Sequence, residues 1–286
     1  MAYVYLMPWL IGLLIFTIYP FASSFIYSFT NYNMIDTPEN VGFKNYINLF
    51  NDRDFIRSIT ATLKYTVFTV PLQLIFALFV AFILNFKLKG INFYRTAYYI
   101  PSLLGGNIAI ALLWRFIFSE DGLVNQIIRG LGGENVRWFS TSNTAMFVVV
   151  LLKVWQFGSA MITFLAALQE IPAELYEAAD VDGSSKFRTF CSITVPLITP
   201  TIFFNLIMQL VNAFQEFNGP FLITSGGPMK STYLTSMFIY DYSFKFFDMG
   251  YASAASWVLF LLILVVTGVL FKTSSKWVFY SDGKGK

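Results

Sequence analysis

EAADVDGSSKFRTF, residues 177–190, is an island of charge and glycine in an otherwise apolar chain. Four acids (Glu174, Glu177, Asp180, Asp182) and two bases (Lys186, Arg188) crowd between two apolar stretches. Pro172 stands where a helix can begin, because its missing N–H would be unpaired there in any case. Residues 173–179 are nearly all competent helix formers, and Glu174 and Glu177 suit the positive end of the helix. Gly183 fits the left-handed position that stops a helix, and Ser184 or Ser185 can cap a second one running through Phe187 and Phe190. The stretch therefore reads as helix, glycine turn, helix. Its Leu175, Tyr176, Ala178 and Ala179 offer an apolar patch that no neighbouring loop can cover, so a partner protein would; the plainer alternative is a solvated loop. Calcium is excluded: with Gly183 in the sixth place of an EF-hand loop, Ala178 and Thr189 occupy the first and twelfth places and cannot ligate.

Composition sets the surroundings. Of 286 residues, 56% are hydrophobic and 12% charged, and the mean hydropathy is +0.62, against about 45–50% apolar and 25% charged in an ordinary soluble domain. Such a chain is made for lipid. A net charge of +3 does not argue for nucleic acid. The single cysteine, Cys191, forbids an internal disulfide. Histidine is absent, which removes the usual general base and most triads. The first apolar stretch has no basic start and is too long for a cleaved leader, so it reads as a membrane span; the lack of basic residues before Tyr3 leads us to expect a native N-terminal tail ahead of it.

A helix crosses the hydrocarbon core with roughly 20 apolar residues. Six such stretches lie between the charges: 3–29, 65–86, 96–118 (broken early by Pro101 and the pair Gly105, Gly106), 143–168, 193–215 and 251–271. Long, turn-rich segments over 30–63, 119–142 and 217–249 then lie on one side; 119–142 and the loop with TSGGP at 224–228 are candidate docking surfaces, a purely structural turn being the alternative for the latter. On the other side sit Lys87, Lys89, Arg95, Lys186, Arg188, Lys272, Lys276, Lys284 and Lys286; their density near the span ends places that side, with both termini, in the cytoplasm.

Two spans carry polar stripes. Asn205, Gln209, Asn212 and Glu216 recur on one helix face, and Lys153, Gln156 and Thr163 lie close to one face of the fourth span, with Ser159 at its margin. Polar groups in lipid need partners, protein or water. The stripes serve a wet cavity and interhelical hydrogen bonding equally well. Lys153 and Glu216 could pair with one another or meet a charged substrate. Trp155 or Phe214 could stack on the flat face of a ligand.

Glu177, Ala178, Ala179, Gly183, Ile193 and Pro196 together resemble the EAA cytoplasmic loop of permease subunits in binding-protein-dependent ABC importers, with Val195 where the family has leucine. FYRTAYYIPSLLGG (93–106), LLWRFIF (112–118), GLVNQIIRGLG (122–132), FLITSGGPMKST (221–232) and GYASAAS (250–256) resemble the larger permease of maltose-type sugar systems. The resemblance covers residues 3–280. It implies an all-α polytopic membrane protein of the type I importer permease fold: one domain over 1–286, its six-helix core at about 60–272 and the coupling loop at 170–196. It implies further a bacterial inner-membrane location, a second homologous permease, two ATPase subunits carrying ATP and Mg²⁺, an extracytoplasmic sugar-binding protein and a saccharide, with no cofactor on this chain. Coupling to the ATPase would fall on Glu174, Glu177, Ala178, Ala179, Asp182 and Gly183. The substrate path would fall on Lys153, Trp155, Gln156, Ser159, Asn205, Gln209, Asn212 and Glu216.

The same scaffold importing a polyamine or an anion is the alternative. A membrane enzyme or receptor would need a reactive constellation that these spans lack. A secondary transporter would show inverted repeats, and none is visible. The chain has no phosphate-binding G-x-x-x-x-G-K-[ST] loop, so ATP would act on another chain.

Overall fold

A backbone that leaves water must satisfy its own N–H and C=O groups. The computed structural model, which describes residues 2–86 and 89–279, does so almost wholly with helix; its one extended contact is the bridge between Thr30 and Asn40. Lys87, Lys284 and Lys286, used above for orientation, lie outside the described residues.

The chain begins with α1 (Ala2–Leu13) and α2 (Tyr19–Tyr27), joined by a π-helical turn at Leu14–Ile18. The apolar rod Tyr5–Tyr27 buries none of its length in the rest of the chain. It touches the fold near its end, where Phe21 and Phe25 pack on Trp257 and the Trp257 indole donates to Ser24 Oγ at 3.2 Å.

The expected loop over 30–63 is largely helical instead. After α3 (Lys44–Asn51), α4 runs from Arg53 to Leu84, twelve residues ahead of the expected start at Tyr65. Asp52 caps it, accepting from the Asp54 N–H at 2.8 Å and the Phe55 N–H at 3.4 Å. Its other carboxylate oxygen accepts from Tyr251 at 3.1 Å and Tyr242 at 3.4 Å. The first turns carry Arg53, Asp54, Arg57 and Lys64, which hide them from a search for apolar runs. Their buried Phe55, Ser58, Ala61, Thr62 and Tyr65 nevertheless keep the helical period.

Three of the expected spans are bent. α5 (Ile91–Leu104) and α6 (Ile108–Ile117) meet at 101°, so 96–118 is not a single straight rod. Pro101 lies inside an unbroken α5; the break falls at Gly105 and Gly106, after which the Asn107 side chain accepts from the Ala109 N–H at 2.9 Å and starts the next helix. After α7 (Leu123–Gly130), α8 (Ser142–Trp155) and α9 (Gly158–Gln169) meet at 45°. The short α10 (Ala173–Val181) and α11 (Lys186–Thr189) follow, then a π-helical turn at Phe190–Thr194 and α12 (Val195–Leu197). The segment Lys186–Leu197 meets α13 (Thr199–Phe214) at 67°. Prolines 196 and 200 cause this bend: Pro200 cannot donate to the Pro196 carbonyl, and the Thr199 hydroxyl donates to it at 2.7 Å in its place. The segment 217–249 folds into α14 (Asn218–Thr224) and α15 (Thr235–Tyr240), and α16 (Met249–Ser274) is the last span. Three helices are long and apolar enough to cross a membrane, and six spans result if each bent pair counts as one.

The core forms around α4, which packs on α8, α9, α13 and α15. Tyr65, Ala77, Ala81, Val148, Met161 and Phe164 are almost fully enclosed there. α9 approaches α5 so closely that a Cβ on Gly158 would lie 2.8 Å from the Tyr98 carbonyl oxygen and 2.9 Å from Tyr99 Cα. Backbone atoms cannot turn aside as a side chain can.

Gly158→Ala should therefore destabilise the detergent-solubilised protein by about 1–3 kcal/mol, lowering its thermal midpoint. Gly268→Ala, where an added Cβ meets nothing within 4 Å, should leave the midpoint unchanged or raise it.

Candidate functional site

Two polar centres stand out, one at the end of the bundle and one within it. At the end, α10 stops in a Schellman turn. Gly183, at φ +69°, donates its N–H to the Asp180 carbonyl at 3.1 Å, and Ser184 N–H reaches the Ala179 carbonyl at 2.9 Å. Ser185 is the residue that caps α11, accepting from the Arg188 N–H at 3.3 Å. The expected apolar patch is half right in its membership: Ala179 is buried, and Tyr176 is partly covered, its hydroxyl 3.0 Å from Thr194 Oγ1. Leu175, Ala178, Val181 and Phe187 form the uncovered surface, with Val181 88% and Phe187 78% exposed. Glu174, Glu177 and Asp182 are exposed on the same helix and its cap. Phe190 of the following turn packs edge-on against Phe82 at 5.0 Å, which puts this end of the bundle beside the C-terminal end of α4.

The inner centre is built on the break between α8 and α9. Leaving the helix at Gln156 frees its carbonyl, which accepts from Gln73 Nε2 at 3.1 Å and from Ser102 Oγ at 3.0 Å. Ser102 Oγ in turn accepts the Ser159 N–H at 3.2 Å, and Gln156 Nε2 donates to the Gly105 carbonyl at 3.1 Å. Three spans are thus stitched at one bend. Gln73 and Ser102 escaped the sequence reading; a glutamine inside an apolar run, 2% exposed, was the available signal.

One turn before the bend, Lys153 Nζ donates to Glu216 Oε2 at 2.7 Å, with 20% and 14% of the two side chains exposed. Glu216 Oε1 accepts the Gly219 N–H at 3.2 Å, and the Ser236 hydroxyl donates to the Glu216 carbonyl. A cavity of about 10 Å³ lies against the pair, bordered by Tyr65, Gly105, Val149, Leu152, Gln156 and Gly219; that is room for about one water. α13 ends at Phe214, so Glu216 does not continue its polar face as the spacing suggested: it sits in the turn before α14.

The remaining stripe divides. Asn205 Nδ2 lies 2.7 Å from Thr163 Oγ1 and 3.0 Å from the Thr201 carbonyl, while Thr163 Oγ1 is 3.0 Å from Asn205 Oδ1. That residue joins α13 to α9, as interhelical bonding would have it. Gln209 is buried, whereas Asn212 and Ser159 are exposed. Trp155 lies against Trp114, ring centres 5.6 Å apart and tilted 36°. Phe214 is 1% exposed, packed with Leu210, Leu259 and Ile263, and has no face left for a ligand.

The segments 119–142 and 217–249 are ordered by two further groups. Asn125, fully buried, has Nδ2 within 3.0–3.3 Å of the Ser119, Glu120 and Val136 carbonyls, and its Oδ1 accepts from Val136 N–H and the Trp138 indole. In the TSGGP segment the Gly227–Pro228 peptide is cis, and Tyr233 donates to Asp241 at 2.8 Å. Burial, then Asp241, pushes the Tyr233 phenol well up; burial and Asp52 push Tyr242 to about 12, so both remain donors at neutral pH. Among the described residues no His, Cys, Asp and Glu cluster could hold a metal ion.

Residues 50–279 match the family described as binding-protein-dependent transport system inner membrane component. A probable ABC transporter permease protein of Bacillus subtilis (strain 168), YesP, is 42% identical over 284 residues, covering 98% of this chain and 92% of the relative. A probable starch degradation products transport system permease protein, AmyD of Thermoanaerobacterium thermosulfurigenes, is 33% identical over 272 residues, 93% of this chain and 90% of that one. A crystal structure of a bacterial ABC transporter involved in import of the acidic polysaccharide alginate has a chain that superposes with a TM-score of 0.83 at 25% identity, covering 96% of this chain and 95% of that one.

Removing one partner of a largely buried ion pair leaves the other uncompensated, at about 3–5 kcal/mol. Lys153→Met and Glu216→Leu should each lower the thermal midpoint of the purified protein substantially. The double variant should recover most of the loss, and a purely additive result would show that the pair carries no coupling.

Proposed function

This chain belongs to the family of binding-protein-dependent transport system inner membrane components, and from that premise we propose that it is one half of a saccharide-conducting pore, completed by a second, homologous permease. Two ATPase subunits would carry ATP and Mg²⁺ and drive it, and an extracytoplasmic binding protein would deliver the sugar. Relatives named for starch degradation products and for alginate support a saccharide of more than one unit. The α10 end would face the cytoplasm, together with both termini.

The observation that carries this reading is α10 itself. Leu175, Ala178, Val181 and Phe187 stand in the open at one end of a folded bundle, the kind of surface another protein covers. The helix is nonetheless tied to the bundle through the contact between the Tyr176 and Thr194 hydroxyls. A load on α10 therefore passes to α13 across the bend at Ile198. Glu174, Glu177 and Asp182 would lie at the rim of the ATPase contact, Ala178 in it, and Ala179 beneath it.

For the solute, the groups with unoccupied hydrogen-bonding capacity are Gln209, Asn212 and Ser159, with Trp155, Gln156 and the Lys153–Glu216 pair beside the same bend. We assign the path to these residues. Asn205 supports them from within the α9–α13 contact. Because α8–α9 and Lys186–α13 are both bent, tilting either segment changes the width between them without breaking a straight helix.

Two measurements test this. Co-purification with the chains encoded beside it, followed by ATPase assay with candidate oligosaccharides and their binding protein, should show sugar-stimulated hydrolysis; uptake by the chain alone on an ion gradient would overturn the reading. Gly183 has open space for a side chain but a left-handed backbone, so strain of about 1–2 kcal/mol falls on a β-branched residue and far less on Asn. Gly183→Val should cut uptake at least severalfold while the assembled ATPase still hydrolyses, with Gly183→Asn close to wild type. Full uptake in Gly183→Val would remove α10 as the coupling element.

A further inference from the structure

At the opposite end from α10, a groove of about 640 Å³ opens between α4, the first turns of α8 and the segment after Pro228. Its volume is that of a small-ligand site, roughly 300–1,000 Å³, yet none of the candidate path residues borders it. Its chemistry is split by height. Arg57 and Lys64, on one stripe of α4, and Lys230 of the outer segment form the upper part; Phe68, Leu72 and Met146 form the lower part.

The height of that boundary follows from the sequence. Tyr65–Leu84 contains no charged residue, and at 1.5 Å per residue it rises about 30 Å, the thickness of the hydrocarbon core. Lys64 consequently sits at the headgroup level and Phe68 and Leu72 below it, among acyl chains. The one acid at the upper rim is Asp54, which pairs with Lys230 and lies 3.8 Å from Arg57. Lys64 forms no ion pair among the described residues. The rim thus keeps a positive excess.

We propose that this groove is a binding site for one anionic phospholipid of the leaflet opposite α10, its phosphate held by Lys64 and Arg57 and one acyl chain laid along Phe68, Leu72 and Met146. A sugar does not fit the apolar floor, which has few polar groups to meet its hydroxyls. A free phosphate would leave that floor empty. A phospholipid satisfies the cations and the floor at once. The inference does not depend on which solute is carried.

The test uses the assembled transporter in mild detergent, analysed by native mass spectrometry after titration with phosphatidylglycerol, with phosphatidylcholine as the zwitterionic control. One saturable phosphatidylglycerol per copy of this chain is expected, and phosphatidylcholine should not replace it. With each basic contact near a surface worth about fivefold, Arg57→Ala/Lys64→Ala should weaken that binding roughly 25-fold, and Lys64→Arg should retain it. If the double variant does not assemble, Lys64→Gln with an unchanged thermal midpoint and about fivefold weaker binding carries the same conclusion. Equal binding by wild type and variants, equal affinity for the two lipids, or displacement by millimolar inorganic phosphate would each overturn the proposal. So would a photo-crosslinker at Met146 that captures another polypeptide instead of lipid.

Discussion

The freed carbonyl of Gln156 is the constraint around which the bundle is organised. A helix that bends inside a membrane exposes a backbone acceptor where no solvent is at hand, and an unmet acceptor there costs several kcal/mol. Here Gln73 and Ser102 meet it from two other spans. Those partners fix where α4 and α5 must lie against α9. The close approach at Gly158 follows from the same arrangement, because Ser102 can reach the bend only if the α5 backbone lies almost on that of α9. The bend and its partners form one unit, and the pair Lys153–Glu216 lies one turn away from it.

Polar residues inside the spans have two different duties, which their types do not reveal. Asn205 and Thr163 satisfy one another and hold two helices together. Gln209 and Asn212, on the same helix, have no such partner among the described residues. Tight local bonding at one level and spare bonding capacity at another thus coexist along α13. Lys153 falls between: its charge is answered within the chain, which makes it tolerable at its depth.

Much of this was legible from residue order. Length and apolarity located the spans, and Pro172, Gly183 and the pair Ser184, Ser185 marked α10, its stop and the start of α11, because capping chemistry is local. The first turns of α4 were not legible, since Arg53, Asp54, Arg57 and Lys64 break an apolar window although Asp52 caps the helix and Phe55 opens its buried face. The break at Gly105 and Gly106 was legible, whereas the bends at Gln156 and Ile198 were not. Pro101 was the obvious breaker and is accommodated, whereas Gln156, an unremarkable helix residue, breaks the fourth span because tertiary partners compensate its carbonyl. The burial of Ala179, the placement of Glu216 beyond α13 and the enclosure of Phe214 all depend on contacts from distant segments, which no spacing rule contains.

Asn125 has a consequence for the segment that surrounds it. One buried amide, satisfied on every side by Ser119, Glu120, Val136 and Trp138, freezes a segment that would otherwise sample many shapes. Ordering a flexible loop on contact costs roughly 0.5–1.5 kcal/mol for each immobilised side chain. That entropy is already lost when this protein folds, so an encounter there meets a rigid template, and its lifetime is governed by shape and charge alone.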